Sequence, residues 1–188
     1  MLKKIRNRIY AMQAGKHLKT VEREKKFVSY DKAKTVLLLF ESTYSERNPG
    51  TKRIIETLVA DGKKVVAWGY VEKKQITSAA YPEYRILHPG DLDLLHKPKQ
   101  ALIAELAEQE FDLVIDITHQ QWLALSYVVL FAKSKCKTGM QKQGPAIYDF
   151  AVDVDAYLVE KNMKTDDLDF TFLYDQIIFY LKNIQTND

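Results

Sequence analysis

Three continuous apolar runs, each bounded by polar or turn-forming residues, set the tightest limits on what this chain can fold into. They are KTVLLLF (34–40), KKVVAWGYV (63–71) and FDLVIDI (111–117). Runs this short with no polar alternation suit strands covered on both faces, because each side chain must leave water whichever way it points. Between the first two lies NPGTKRIIETLVADGK. Asn48 can cap a helix, Pro49 fits the first helical position, and Gly62 supplies a left-handed stop. Ile54, Ile55, Leu58 and Val59 would form its inward stripe. A strand–helix–strand unit of about 35 residues has the length of a right-handed parallel crossover.

The alternation continues along the chain. YRILHP (84–89) reads as a strand ended by Pro89 and Gly90, and residues 98–109 as a helix with Leu102, Ile103 and Leu106 inward. QQWLALSYVVLFAKS (120–134) is a helix so apolar that it must lie on a sheet. KCKTGM (135–140) and YDFAVDV (148–154) are further strands, the second at an edge. A last amphipathic helix opens with carboxylates near Asp166 and presents Phe170, Leu173, Tyr174, Ile177, Ile178, Leu181 and Ile184. The predicted fold class is α/β: a three-layer, Rossmann-like, mostly parallel sheet with helices on both faces, plus a basic N-terminal helix and an amphipathic C-terminal helix. Strand order is not readable from this pattern.

Composition narrows the class. With 188 residues, 46% hydrophobic and 28% charged, the chain suits one domain with a real core rather than a disordered segment. A single cysteine, Cys136, excludes an intramolecular disulfide scaffold. No run approaches the ~18–20 apolar residues of a membrane span, and the basic start lacks the apolar core of a secretory signal. A cytoplasmic location is the expectation. Charge is uneven. Residues 1–26 hold nine Lys or Arg against Glu22 and Glu24, a net of +7, which leaves −4 elsewhere in a total of +3. The expected organisation is a basic helical arm over residues 1–30 and a single α/β domain over 31–188. In the arm, Leu2, Ile5, Ile9 and Met12 fall on one helical stripe, expected to dock on the body, with Lys3, Lys4, Arg6 and Arg8 around it. Gly15 should weaken or end this helix, and a second could run from Lys16 to Lys26.

In an open parallel sheet, ligands bind beyond the carboxyl ends of the strands, where chain order reverses. The loop after the first strand, ESTYSERNPG, has no glycine before position 50 and so matches neither the dinucleotide fingerprint nor the phosphate loop. Ser42, Thr43, Ser45 and the amides near Asn48 could hold an anion or merely form turns. In 111–117, alternation sends Leu113, Ile115 and Ile117 one way and Val114 and Asp116 the other. At the strand end Asp116 could be a base or a hydroxyl acceptor. Equally, it could fix a neighbouring loop while Thr118 caps the next helix. No partner for it is evident. The candidate rim is therefore Glu41, Ser42, Thr43, Asp116, Thr118 and His119, with Trp68, Tyr70 and Trp122 able to line a pocket. The four histidines show no metal-like spacing, and no cofactor is indicated. Cys136, between Lys135 and Lys137, is expected to be a buried thiol facing away from both.

Two resemblances accompany these residues. The basic first helix, KTVLLLFEST, GYVEKK, FDLVIDIT with its apolar helix and AKSKCKTGM, YDFAVDV and a last helix ending YLKNI together resemble a family of uncharacterised bacterial proteins of about this size. That resemblance implies no activity. Residues 111–140 also resemble the strand–helix–strand near the end of the N-terminal domain of heptosyltransferase-like glycosyltransferases. This chain lacks their glycine–aspartate turn after the first strand, where ESTYSER stands, and its 188 residues are about half the length expected if the second, nucleotide-sugar domain were included. The resemblance implies an acceptor-side domain without its donor partner.

Three functional classes stay open. The first is a non-catalytic small-ligand-binding or protein-interaction module, taking a small anionic or sugar-like ligand at the rim. The second is a glycosyltransferase-related or nucleotide- or sugar-binding enzyme domain. The third is an adaptor held at a membrane or nucleic acid by weak anionic surface contact through residues 1–26. Self-association through the C-terminal helix is a further expectation.

Overall fold

The structure is a computed structural model that describes residues 2–42, 49–72 and 84–184. In chain order the elements are α1 (Leu2–Thr20), β1 (Thr35–Glu41), α2 (Pro49–Ala60), β2 (Lys64–Tyr70), β3 (Arg85–Leu87), α3 (Gln100–Ala107), β4 (Glu110–Asp116), α4 (Leu123–Phe131), β5 (Lys133–Met140), β6 (Phe150–Val152), α5 (Asp155–Lys161) and α6 (Phe170–Asn183). The six strands form one sheet in the order β3-β2-β1-β4-β5-β6, and every pairing is parallel. The chain starts at the centre, winds outward to β3, then returns to lay β4 against the free side of β1. Chain order therefore reverses between β1 and β4.

Burial explains why the apolar runs became strands. Val36 to Phe40 are each at most 2% exposed. Val36, Leu38 and Phe40 join Leu113, Ile115 and Ile117 on one face, beneath residues of α2, α5 and α6. Leu37, Leu39 and Val114 lie on the other, with residues of α1, α3 and α4. The predicted alternation of 113–117 thus holds. Truncating a residue such as Leu38 to alanine would cost about 2–5 kcal/mol. The α2 helix starts at Pro49 and ends before Gly62, whose φ of +78° is the left-handed stop expected there. Asn48, its predicted cap, lies outside the described residues. Val59 is 55% exposed, so the inward stripe is Ile54, Ile55 and Leu58 with Thr51.

The arm departs from expectation in two ways. Helix α1 runs through Gly15 to Thr20, and no helix follows over 21–29. More tellingly, three of the four predicted stripe residues do not dock, and the fourth, Ile9, is only half-buried. Leu2, Ile5 and Met12 are 68%, 49% and 68% exposed, whereas Tyr10 and Ala14 are buried. Aromatic and polar contacts select that face. Tyr10 packs edge-on against Tyr127 and His17 against Phe131, Tyr127 Oη donates to Gln13 Oε1 at 2.9 Å, and Arg6 Nε donates to the Leu94 carbonyl at 2.9 Å. A large aromatic ring with a polar tip buries more area than a short aliphatic chain, and it outcompetes the aliphatic periodicity.

Helix α5 was not expected. Leu158 is its only buried residue, so it carries no periodic stripe, and Asn162 ends it at a φ of +51°. The final helix buries its predicted face, Leu173, Tyr174, Ile177, Ile178 and Leu181, but it starts at Phe170 rather than near Asp166, with Asp169 capping it by accepting from the Thr171 amide at 2.9 Å. Among the described residues, no helix is long and apolar enough to cross a membrane.

Candidate functional site

The reversal of chain order places the carboxyl ends of β1 and β4 side by side, with Leu39 opposite Asp116. Two layers of polar residues sit at this edge.

The deeper layer is built on Asp116, which is 1% exposed. Its Oδ1 accepts from the Thr118 amide at 2.9 Å and from Thr118 Oγ1 at 2.6 Å; its Oδ2 accepts from Lys142 Nζ at 3.0 Å and from Tyr148 Oη at 2.5 Å. Four bonds fill the acceptor capacity of a carboxylate. Lys142 Nζ also donates to Thr118 Oγ1 at 2.6 Å and to Tyr148 Oη at 3.3 Å, so all three of its donors are engaged. Burial, followed by the Asp116 charge, pushes the Tyr148 phenol far up, and it stays protonated. The network ties the segment after β5 to the end of β4. Gly139 makes this possible, because a side chain there would meet the Tyr148 ring at 2.7 Å. Thr118, expected to cap the following helix, instead turns back onto Asp116; the residue preceding α4 is Trp122, which makes no side-chain cap.

The outer layer joins the ends of β1 and β4 directly. Glu41 Oε1 accepts from the Gln120 amide at 2.9 Å, and Glu41 Oε2 lies 3.5 Å from His119 Nε2. The Trp122 ring packs 5.2 Å from that of Tyr70 at the end of β2. Two nitrogens in this layer, His119 Nδ1 and Trp122 Nε1, are buried without a hydrogen-bond partner among the described residues. Buried polar groups are rarely left so, because each forfeits its hydration without return.

Of the six predicted rim residues, Glu41 and His119 meet across the switch point, and Asp116 and Thr118 form the deeper network. Ser42 makes a backbone bond to the Tyr70 carbonyl at 2.9 Å. Thr43, with Ser45, lies outside the described residues. Lys142 and Tyr148 were missed, although a β5 parallel to β4 places the segment after it at this same edge. Among the described residues, no group of three or more His, Cys, Asp or Glu could hold a metal. Cys136 is buried on the face opposite Lys137, and desolvation pushes its thiol up to about 11.

One family model matches residues 6–184, which run from the first helix through the end of the last. The chain belongs to the family of unknown function DUF6913. No curated protein matches this DUF6913 chain. It is similar to a solved structure of D-2-hydroxyisocaproate dehydrogenase at 14% identity and a TM-score of 0.27, with 94% of this chain and 52% of that one covered. It thus spans about half the length of that enzyme.

Proposed function

We propose that this chain is a non-catalytic binding module that takes a small hydroxyl-bearing, sugar-like molecule at the junction of β1 and β4. The observation behind this reading is the pair of buried nitrogens, His119 Nδ1 and Trp122 Nε1, which have no hydrogen-bond partner among the described residues. An indole N–H only donates. An imidazole that donates from Nε2 towards Glu41 is left with Nδ1 as an acceptor. A hydroxyl group accepts and donates, so a polyol matches both with one kind of functional group. Both atoms are shielded from solvent, and binding must therefore open the rim. Glu41 and His119 would contact the ligand, while Asp116 and Thr118 hold the loop that frames it. Glycosyl transfer would call for an unengaged carboxylate as base. Asp116 has every acceptor site filled, which is why binding without catalysis is favoured. Titrating monosaccharides and nucleosides while following tryptophan fluorescence tests the proposal. The expectation is a saturable change for at least one hydroxylated probe, abolished by Trp122→Phe and weakened by His119→Ala. No saturable change with any probe, or an unaltered response in Trp122→Phe, would reject it.

The exposed stripe of α1 favours a second reading, contact with an anionic lipid surface. Leu2, Ile5 and Met12 stand in solvent beside Lys3, Lys4 and Arg8. Each basic residue near such a surface adds about 1 kcal/mol. Because Tyr10 and Ala14 are part of the core, removing the arm would damage the fold. Ile5→Glu with Met12→Glu is the cleaner test. Co-sedimentation with phosphatidylserine vesicles should fall with this pair and with added salt, and binding indifferent to both would reject the reading.

A further inference from the structure

At the opposite, amino-terminal edge of the sheet lies a cavity of about 710 Å³. It is walled by the end of α1, the extended segment after it, and the starts of β1, β4 and β5. Strand β5 begins with lysines at alternate positions, Lys133, Lys135 and Lys137, and a period of two sends all three to one face. All three line the cavity, as do Leu18, Val21 and Phe131.

Six Lys and Arg side chains line the cavity against four carboxylates, Glu22, Glu24, Glu110 and Asp112, so it keeps a positive excess. Lys135 is paired with Asp112 at 2.7 Å, and Arg23 forms a two-oxygen ion pair with Asp149. Lys137 has no ion pair among the described residues. It is 5% exposed, and its one side-chain hydrogen bond runs to the Leu130 carbonyl at 3.1 Å, although an ammonium carries three donors. A buried amine with spare donors beside the apolar part of the wall, Leu18, Val21 and Phe131, is the complement of an anion with an apolar body.

We infer that this cavity is a second binding site, taking a small amphipathic anion whose charged head meets Lys137 and whose apolar body lies against Leu18, Val21 and Phe131. Burial, and then the charge of Arg23, push the Lys137 amine down to about 7, so an incoming anion would relieve a strain already present in the fold. The site is at the other edge of the sheet from His119 and Trp122 and does not rest on the sugar-like reading.

The test is titration of the full chain with 8-anilinonaphthalene-1-sulfonate, an apolar body bearing one anion, with decanoate as competitor. A saturable fluorescence rise displaced by decanoate is expected. Lys137→Met, with its melting transition retained, should weaken binding at least tenfold, the size of one lost charge-assisted hydrogen bond. Lys133→Glu, on an exposed residue, should weaken it several-fold whether or not Lys137→Met folds. Trp122→Phe should leave it unchanged. Equal affinity in Lys137→Met, no effect of Lys133→Glu, or failure of decanoate to compete would each overturn the inference.

Discussion

Replacing Lys137 with methionine should stabilise the protein, by an amount that depends on pH in a defined way. The side chain is buried between β5 and the end of α4, and its amine falls from 10.5 to about 7. The cause is first desolvation and then the Arg23 charge, with Lys25 adding to it and Asp149 opposing. Above pH 10.5 the amine is neutral folded or unfolded and contributes nothing. As pH falls from 10.5 towards 7, the unfolded chain gains a proton that the folded chain does not, and stability is lost. Below about 7 the loss is complete, and 3.5 pKa units correspond to about 5 kcal/mol. Methionine keeps the apolar stem but gives up the bond to the Leu130 carbonyl, a loss of about 1 kcal/mol. The net gain should be roughly 3–4 kcal/mol at pH 6, falling below about 2 kcal/mol at pH 9. Urea denaturation at pH 6, 7.5 and 9 measures both the gain and its slope. A variant less stable than the parent at pH 6, or a gain that does not shrink with rising pH, would refute the assignment of Lys137 as a strained buried cation.

Asp116→Ala should be strongly destabilising, by about 3–5 kcal/mol in denaturant melts, because it strands the Lys142 ammonium in the interior; a change under about 1 kcal/mol would mean that the network does not hold the loop. Gly139→Ala should cost about 1–3 kcal/mol by driving the Tyr148 ring off β5, and amide exchange over 141–149 should rise with it, whereas unchanged exchange would contradict the close approach. For Asp112, burial opposes ionisation, but the Lys135 hydrogen bond and the Lys34 and Thr35 amides prevail and bring the carboxyl down to about 2. Its stabilisation is present above pH ~4 and lost as pH falls through about 2, so Asp112→Asn should lose about 2 kcal/mol at pH 7 and nothing near pH 1–2. An equal loss at both pH values would show that the charge is not what matters.

What the sequence disclosed tracks how locally each feature is determined. The run Val36–Phe40 needs two covered faces wherever it lies, and so do Leu113–Ile117; parallel pairing beneath helices follows from the crossover length. The stop at Gly62 depends on the conformations of a few adjacent residues. By contrast, the face by which α1 docks is a contest between two stripes of one helix. It was decided by Tyr127 and Phe131, more than a hundred residues away, so aliphatic periodicity gave the wrong answer. Asp116 was recognisable as a polar strand end, but Lys142 and Tyr148 reach it from beyond β5, and their arrival depends on strand order. The lysine repeat of β5 was visible as a pattern. Its meaning was not, because only packing against α4 and the arm turns one of three surface cations into a buried one.

The two edges of the sheet share a junction in the segment that links β5 to β6. Tyr148 reaches Asp116 at the carboxyl edge, while Asp149, the next residue, accepts from Arg23 and from the Lys137 amide, the latter at 2.9 Å. The Asp149 amide in turn donates to the Lys137 carbonyl at 2.8 Å. Consecutive residues of an extended chain point to opposite sides, so one short segment can serve the switch point with one side chain and hold Arg23 with the next. The arm is therefore part of the fold: Arg23 also donates to the Ser134 carbonyl at 2.7 Å, binding the segment after α1 to the same strand that carries Lys137. Anything that displaces Arg23 from Asp149 must disturb the residue beside the one that anchors Asp116.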